Sequence, residues 1–459
     1  MPFDPTLAAI RFGMGLSPVI PPPVSVAEMM ARLRGPDDVA ALVPIPTYDA
    51  VYPSPADFRN SSIALNEARG TDGEDAATEL QSKLREDGRN AVATFMKAHL
   101  ARAVVTEDGF RERLTHFWAD HFTVRSVTGI SRHLVSTYVE TAIRPHVAGN
   151  FADMLVAVIG SPMMIYYLDQ HRSMGPNSRA AERHDRGLNE NLAREVLELH
   201  TLGVGGQYSQ TDVREFAELL TGVTANAQRG SFFRTQQAEP GSETVLGVTY
   251  GGGEESLDHV IAVLRDLAIH PDTARHLAGK LAVHFIGPAP DQAMIENMAA
   301  AYLAAEGDLT AMYEIMLEAE ASWGVELLKV KLPFDFIASS MRALAVSKDV
   351  ILDASLQSVR RMVERPMSVM GQQWQNPVGP DGWSEDEENW ITPQGMAGRI
   401  TWSMRVPRQL VDKMPDPRDF VFDALGPNPP DNVIFAAGAA ETIRDGVGIV
   451  LASAAFQRR

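Results

Sequence analysis

The sequence contains no cysteine among its 459 residues, and basic residues are few. Without cysteine the chain can form neither a disulfide nor a thiolate nucleophile, so a metal would have to be bound by His, Asp or Glu. Lysine and arginine number 41 against 59 aspartates and glutamates, which gives a formal net charge of -18. This balance argues against nucleic acid or an anionic membrane as partner, because both require clustered basic side chains.

Two further absences concern membranes and export. No stretch of apolar residues is long enough to span a bilayer. Residues 1–15 lack a basic segment followed by an apolar run and a small-residue cleavage site, so the sequence predicts no secretory signal. The cytoplasm is therefore the expected compartment, and the alternative is export by other means or prior removal of a signal.

Helical periodicity dominates the chain. Apolar residues recur at intervals of three and four, and prolines and glycines divide the periodic segments into α-hairpins. We predict a mainly α fold of stacked helical hairpins in one large helical body, with at most a small β-hairpin around residues 231–250. The predicted parts are an N-terminal extended arm with short helices (1–60), a helical core (61–370), and a Trp-rich loop with C-terminal helices docking on the core (371–459).

The stretch Asn189–Gly222 predicts two helices joined by a glycine-rich turn. On a helical wheel, five apolar residues of the first helix share one arc: Leu188, Leu192, Val196, Leu199 and Leu202. Glu195 falls inside this arc, and Asn191 and Glu198 lie along the same edge, whereas His200 points away from Glu195. A polar stripe beside a core face predicts a functional site.

His121 is a second polar residue expected to face inward. It shares one side of the predicted helix Phe110–Phe122 with apolar side chains, whereas His116 and Asp120 lie on the flank. We expect Glu195 and His121 to meet across a helix interface, where burial would raise the carboxyl pKa by ~3 units and suit it to acid–base catalysis. The alternative is a core carboxylate satisfied by a buried arginine or by backbone amides.

A metal site is another interpretation of the same residues. Glu195 and Glu198 with His121 or His116 could supply oxygen and nitrogen ligands, as in helix-bundle carboxylate sites. The chain lacks the Glu-x-x-His pairs of di-iron proteins and the His-Glu-x-x-His motif of zinc proteases. The spacing therefore does not support a metal, and the cofactor is left open.

A local basic loop, residues 166–187, precedes the central pair of helices, and we call it the arginine loop. It contains four arginines, namely Arg172, Arg179, Arg183 and Arg186. In an acidic protein this cluster predicts an anion-binding flap over the site, so these arginines are candidate substrate-binding residues. A mobile, solvated loop is the alternative.

Tryptophan is concentrated near the end of the chain. Trp374, Trp383, Trp390 and Trp402 are four of the six tryptophans, and acidic residues 385–388 accompany them. Trp has a broad apolar face with one donor, so Trp374, Trp383 and Trp390 are predicted to line a groove for sugar rings or another flat ligand. Alternatively, the tryptophans fasten an irregular loop onto the core.

Several phrases, taken together, resemble one protein family. They are AAIRFGMG, RLTHFWADHF, MMIYYLD, NENLAREVLELHTLGVGGQYSQTDVREFAELLTG, HPDTARHLAGKLAVHFI, GQQWQNPVGPDGWSEDEENWITPQGMAGR and SAAFQRR. Distributed from end to end, they resemble the bacterial family called domain of unknown function 1800. The resemblance implies a helical protein with a companion similar to sulfatases and alkaline phosphatases in envelope or exported-polymer chemistry, and hence a periplasmic or exported location. The pair Ala119-Asp120 departs from the expected pattern.

Two functions of different class follow from these observations. In the first, the protein is a partner of the sulfatase-like or phosphatase-like companion. In the second, it is a hydrolytic enzyme acting on an anionic or carbohydrate polymer, with Glu195 as acid or base, His121 as its partner and the arginine loop holding an anionic group. No Gly-x-Ser-x-Gly motif occurs, which disfavours a serine hydrolase of the α/β type.

Overall fold

The computed structural model describes residues 2–126, 131–183 and 187–459, and most of them are helical. The α-helices are Pro5–Leu7, Val26–Arg34, Asp38–Leu42, Pro55–Ala68, Glu74–Val105, Gly109–His121, Leu134–Tyr138, Phe151–Ile159, Pro162–Tyr167, Asn191–Glu195, Gln210–Leu219, Leu257–Ala268, Pro271–Phe285, Gln292–Ala304, Leu309–Glu318, Pro333–Ala343, Lys348–Leu352, Leu356–Val359, Arg365–Val369, Pro393–Arg405, Pro417–Leu425, Asp431–Gly438, Ile443–Ala452 and Ala454–Gln457. Turns of π-helix are Ala8–Phe12, Val139–Ile143, Val196–His200 and Arg360–Glu364. Short 3₁₀ turns are Arg144–His146, Gln170–Arg172, Thr235–Gln237, Glu320–Trp323, Glu387–Asn389 and Pro407–Gln409. The predicted mainly α fold is confirmed.

The β structure of the described residues consists of two small antiparallel hairpins. Val223–Asn226 pairs with Gly230–Phe233, and Ser242–Val245 pairs with Val248–Gly251. The small β region predicted around residues 231–250 is therefore present, but it is divided between two hairpins. Leu246 and Gly247 both have positive φ, 51° and 79°, as a tight two-residue turn requires, so the second hairpin closes on itself.

Short polar side chains begin many of the helices. Ser54 with Asp57, and Ser209 with Asp212, form capping boxes in which each side chain binds the backbone N–H of the other residue. These bonds satisfy N–H groups that the first helical turn leaves without partners. The second capping box starts the helix Gln210–Leu219, the second member of the central pair.

One continuous set of buried apolar side chains extends from Leu7 to Phe456. Phe12 stacks on Phe285 with 5.4 Å between ring centroids, and Phe336 meets Phe456 edge to face at 6.2 Å. The first and last segments of the chain thus both pack on helices from its middle. The predicted division at residues 60 and 370 stays a prediction.

The long helix Glu74–Val105 contributes to the core with its second half. Its buried residues begin at Leu84 and become dense from Val92 to Val104, including His99. Within residues 2–126, 131–183 and 187–459, no helix combines the length and apolar character that crossing a bilayer requires.

Candidate functional site

Segments that lie far apart in the sequence line one cavity, among them residues 135–139, residues 332–335 and three segments on which the site depends. These three are the helix Gly109–His121, the helix Pro271–Phe285 and residues 371–392, which we call the Trp loop. The cavity has a volume of about 120 Å³, slightly less than the ~150 Å³ of an engineered protein cavity that accepts one benzene molecule. Its size therefore suits a single six-membered ring.

Asp120 lines this cavity and faces the Trp loop. The N–H of Trp383 donates to both carboxylate oxygens of Asp120, at 2.9 and 3.2 Å. Gly382 approaches so closely that a Cβ atom on it would lie 2.7 Å from the carboxylate. Burial raises the pKa of Asp120 to about 7, although the hydrogen bond from Trp383 opposes this rise. A carboxyl that exchanges its proton near neutral pH thus forms part of the wall.

Charged neighbours also act on the pKa of Asp120. Lys280 lowers it, and Glu385 and Asp381 raise it. Burial lowers the pKa of Lys280, whereas the nearby Asp120 carboxylate raises it. Because each charge stabilises the other, loss of the proton from Asp120 favours the protonated form of Lys280.

A series of hydrogen-bonded polar groups leads from the cavity wall into the interior. Nδ1 of His284 donates to Glu385 at 2.6 Å, and Nζ of Lys329 reaches the other carboxylate oxygen at 2.7 Å. On the opposite edge of the ring, Nη2 of Arg459 donates to Nε2 of His284 at 3.2 Å. Nε2 must then be unprotonated, so His284 is neutral, and burial lowers its pKa to about 4. Burial alone would raise the pKa of Glu385, but His284 and Lys329 lower it further than burial raises it.

Arg113 and Asp335 form another part of the wall. Nη1 of Arg113 donates to Asp335 in a buried ion pair, and its Nε and Nη2 donate to the carbonyl of Gly13 at 3.1 and 2.6 Å. The ring of His116 meets Phe334 edge to face, with centroids 5.0 Å apart, and burial lowers the His116 pKa. The charges of this part of the wall are thus balanced within the protein.

Aromatic rings form the apolar part of the wall. The ring of Trp374 lies 5.2 Å from Phe334 and 5.3 Å from His99, measured between centroids. Nε1 of Trp374 and Nε2 of His99 are buried and have no hydrogen-bond partner in the described part of the chain. Since buried polar atoms are normally paired, these two atoms indicate that the cavity can receive a polar ligand.

His121 is buried but does not line the cavity. Its Nε2 donates to the carbonyl of His200 at 3.1 Å, and Nε2 of His276 donates to the carbonyl of Leu199 at 3.0 Å. Burial lowers the pKa of His121 well below its ordinary value, and Lys280 lowers it further. We call residues 191–200 the central helix. His121 therefore binds the end of the central helix as a neutral donor.

Glu195 lies on the central helix and is half-buried, whereas Asn191 is exposed and Glu198 pairs with Arg194 at 3.3 Å. Burial raises the pKa of Glu195, and Glu198 and Asp381 raise it further. Among the described residues, the hydrogen bonds of His121 do not include Glu195. Glu195 does not line the cavity. Asp381 raises the pKa of both Glu195 and Asp120.

The central helix changes its inward face halfway along. Its first five residues are α-helical, and the next five, Val196–His200, form a turn of π-helix. This wider turn buries Leu197 and His200 and leaves Leu199 half-buried. A wheel with 3.6 residues per turn places Leu199 in the apolar arc, because it does not allow for the extra residue of a π-turn.

The arginine loop packs on the segment before the second β-hairpin. Asn177 donates through its backbone N–H to Glu239 at 2.9 Å, and the N–H of Gly175 donates to the carbonyl of Gln237 at 2.9 Å. Three of the predicted substrate-binding arginines are exposed and do not line the cavity: Arg172, Arg179 and Arg183. The fourth, Arg186, lies outside the described residues.

Two of the three predicted groove tryptophans, Trp374 and Trp383, line the cavity. Trp390 packs against Trp383 with 5.8 Å between ring centroids, and its Nε1 donates to the carbonyl of Ser384 at 2.8 Å. Trp390 thus does not line the cavity and instead packs within the Trp loop.

The sequence reasoning missed the acids of the cavity wall, namely Asp120, Asp335 and Glu385. The available signal was the spacing of Lys280 and His284, which places both side chains on one side of a helix. That side faces the Trp loop, where His284 binds Glu385. Within the described ranges, no group of three or more His, Asp or Glu side chains is arranged to hold a metal ion.

Comparison with known proteins gives one match. The model of a family described as "Protein of unknown function (DUF1800)" matches residues 10–458. No curated protein and no solved structure is similar enough to match. The family match covers every segment that encloses the cavity.

Proposed function

The chain belongs to the DUF1800 family of proteins of unknown function, and from this premise we propose that it is a hydrolytic enzyme that cleaves a carbohydrate chain. The proposal rests on one observation: Asp120, with a pKa of about 7, lines a cavity of the size of one ring. A carboxyl group that is still protonated near neutral pH can act as a general acid.

The aromatic wall supports a sugar ring as the occupant. Trp374, Trp383 and Phe334 provide flat apolar surfaces against which the C–H face of a pyranose can pack. Polar groups at the edges of these rings are available for its oxygen atoms. An apolar face with polar edges is the pattern that a sugar ring requires.

In the proposed reaction, protonated Asp120 donates its proton to the glycosidic oxygen as the bond from that oxygen to the anomeric carbon breaks. The oxygen of a water molecule forms the new bond to this carbon, and a second carboxylate accepts the proton that the water loses. Glu195 is our candidate for this second group, because burial and neighbouring acids raise its pKa toward the range of a general base.

The other residues predicted from the sequence have supporting roles in this proposal. His121 holds the end of the helix that carries Glu195, and Asn191 and Glu198 lie beside Glu195. The exposed arginines of the loop, Arg172, Arg179 and Arg183, contact anionic parts of a long chain outside the cavity.

The test is hydrolysis of a panel of neutral and acidic polysaccharides, measured by the release of reducing ends. Asp120→Asn should lower the rate at least about a hundredfold, the lower limit for loss of a general acid. Asp349→Asn, which changes an acid whose side chain is 77% exposed, should leave the rate unchanged. Equal rates for the Asp120→Asn variant and the unmodified protein, with the fold intact, would remove Asp120 from the reaction.

A partnership with a sulfatase-like or phosphatase-like companion stays a prediction from the family resemblance. Co-purification of the two proteins at equal stoichiometry would support it. Failure of the purified proteins to associate at micromolar concentration would count against it.

A further inference from the structure

The cavity wall contains two glutamines whose oxygen atoms are already engaged. Oε1 of Gln372 accepts the N–H of Phe334 at 2.8 Å, and Oε1 of Gln375 accepts the hydroxyl of Ser136 at 2.9 Å. A side-chain amide has one oxygen that accepts and one NH₂ group that donates. In each glutamine the oxygen is thus already used by the protein, whereas the NH₂ group has no hydrogen-bond partner among the described residues.

Two buried polar atoms of the aromatic wall have no partner among the described residues: Nε1 of Trp374, which is a donor, and Nε2 of His99, which donates or accepts according to the tautomer. Burial lowers the pKa of His99 well below its ordinary value, so its imidazole is neutral and carries one N–H.

Two of the three carboxyl groups of the wall are engaged by charged or histidine side chains, whereas the third, Asp120, accepts the backbone N–H of Trp383. Asp335 binds Arg113, and Glu385 binds His284 and Lys329. The hydroxyl of Tyr138 donates to the carbonyl of Phe122 at 2.9 Å. Apart from Asp120, a ligand in this cavity consequently meets mainly N–H donors.

The cavity lining contains one guanidinium, Arg113, and three carboxyl groups, Asp120, Asp335 and Glu385. Around Asp335 and Glu385, however, positive side chains outnumber carboxylates. Five buried cationic side chains lie there: Arg113, Lys329, Lys331, Arg399 and Arg459. The carboxylates interacting with them are Asp335 and Glu385. Burial and the neighbouring arginines lower the pKa of Lys331 to about 7, which is the response expected where positive charge is in excess. Around Asp335 and Glu385, this excess of positive charge favours an anionic group on the ligand.

The backbone of Gln375 adds an independent indication. Its φ is 47°, in the left-handed region that residues other than glycine rarely adopt. Such strain persists where the surrounding structure enforces it, and it is concentrated at ligand sites. Here it places the amide of Gln375 on the cavity wall next to Trp374.

We propose that the cavity selects a sugar unit that carries an oxyanion, either a carboxylate or a sulfate, and binds it through N–H groups of Gln372, Gln375 and Trp374. This inference rests on the proposed function for the sugar ring. A neutral hydroxyl accepts from these N–H groups but also needs an acceptor for its own proton. An oxyanion only accepts and can use every donor.

Three matched ligands test the selection by isothermal titration of the full-length protein. Glucuronate, glucose 6-sulfate and glucose share one ring and differ only at the sixth carbon, and the corresponding galactose series covers the other common configuration. One of the charged sugars should bind at least about tenfold more tightly than its neutral counterpart, a difference of about 1.4 kcal/mol. The preferred anion then identifies carboxylate or sulfate. Equal affinity for charged and neutral sugars, or no binding of either anion, would overturn the inference.

Two variants locate the donors. Gln375→Glu keeps the oxygen that accepts from Ser136 and replaces the donor NH₂ by a carboxylate oxygen that repels an anion, so the affinity for the charged sugar should fall at least about tenfold. Trp374→Phe keeps an aromatic ring, removes only the N–H donor and should weaken the same ligand. Trp402→Phe is the matched control, because its Nε1 donates to the carbonyl of Met362 at 2.8 Å and it does not line the cavity.

If Gln375→Glu does not fold, as judged by circular dichroism, Trp374→Phe alone decides. Unchanged affinity in the folded variants would overturn the assignment of these donors. Binding is measured without turnover, so the inference can fail separately from the proposed reaction. Tight binding of a charged sugar together with full hydrolysis by Asp120→Asn would refute only the reaction, whereas Asp120-dependent cleavage without charge preference would refute only the oxyanion.

Discussion

At the scale of single residues, the chemistry of this site depends on the proton of Asp120. Burial raises its pKa from 3.8 to about 7. Between these two pH values the folded protein holds a proton that the unfolded chain releases, so the contribution of Asp120 to stability decreases as the pH rises through this window. A general acid of this kind should also lose activity as the pH rises above about 7.

We predict that neighbouring charges move the pKa of Asp120 in opposite directions. Lys280→Gln removes a positive charge that lowers it, so the pKa should rise. Asp381→Asn removes a negative charge that raises it, so the pKa should fall. Carboxyl ¹³C titration by NMR measures both shifts, and shifts of the same sign would contradict this electrostatic account.

A second prediction concerns Glu195. If it is the general base, Glu195→Gln should lower hydrolysis at least about a hundredfold. Glu190→Gln provides a matched control on the same helix, because Glu190 pairs with Arg194 at 3.1 Å at the surface and is not expected to take part in the reaction. Equal rates for Glu195→Gln and its control would assign the base to another group.

At the scale of elements, the Trp loop depends on its close approach to the helix Gly109–His121. Gly382 has φ of 83°, and a Cβ atom on it would collide with the carboxylate of Asp120. Gly247 has a similar φ of 79° but has open space around it. Comparing the alanine variants of these two glycines therefore distinguishes the effect of backbone strain from the effect of steric contact.

We predict that Gly382→Ala and Gly247→Ala both destabilise the protein by about 1–2 kcal/mol, because alanine is strained at positive φ. Only Gly382→Ala should also displace the Trp loop, increase solvent quenching of tryptophan fluorescence and weaken ligand binding. Urea unfolding measures the first effect, and acrylamide quenching the second. Equal quenching of the two variants would show that the loop does not require this contact.

The central helix shows how far the sequence predicted the elements. Its position, its turn and the capping box of the next helix follow from local patterns. The π-turn at Val196–His200 does not, because it is a local departure from the 3.6-residue period on which the wheel depends. Leu197 consequently faces the core where Leu199 was expected.

At the scale of the whole molecule, the cavity is a product of tertiary structure. Arg113 pairs with Asp335, 222 positions away, and His284 pairs with Glu385, 101 positions away. The sequence identified the segments 113–122, 270–286 and 371–399 as distinctive but contained no information on which of them meet. It therefore predicted Trp374 and Trp383 from composition and missed Asp120, whose environment forms only when the Trp loop docks.

The buried histidines also make the stability of the whole molecule depend on pH. Burial lowers the pKa of His200 to about 3 and that of His284 to about 4, and His99, His116, His121 and His276 are lowered as well. As the pH falls below 6.5, the unfolded chain binds protons that the folded protein excludes, so these groups destabilise the fold. Asp120 and Glu243, each with a pKa of about 7, act in the opposite direction but are fewer.

We therefore predict that the free energy of unfolding falls by at least about 1.4 kcal/mol per pH unit between pH 6.5 and pH 5, the slope of one histidine. Urea unfolding at several pH values in this range measures the slope. His200→Asn should reduce this slope by up to the contribution of one histidine, because His200 is only 1% exposed and neutral throughout this range. A stability that is constant or rises on acidification would mean that these imidazoles accept protons without unfolding.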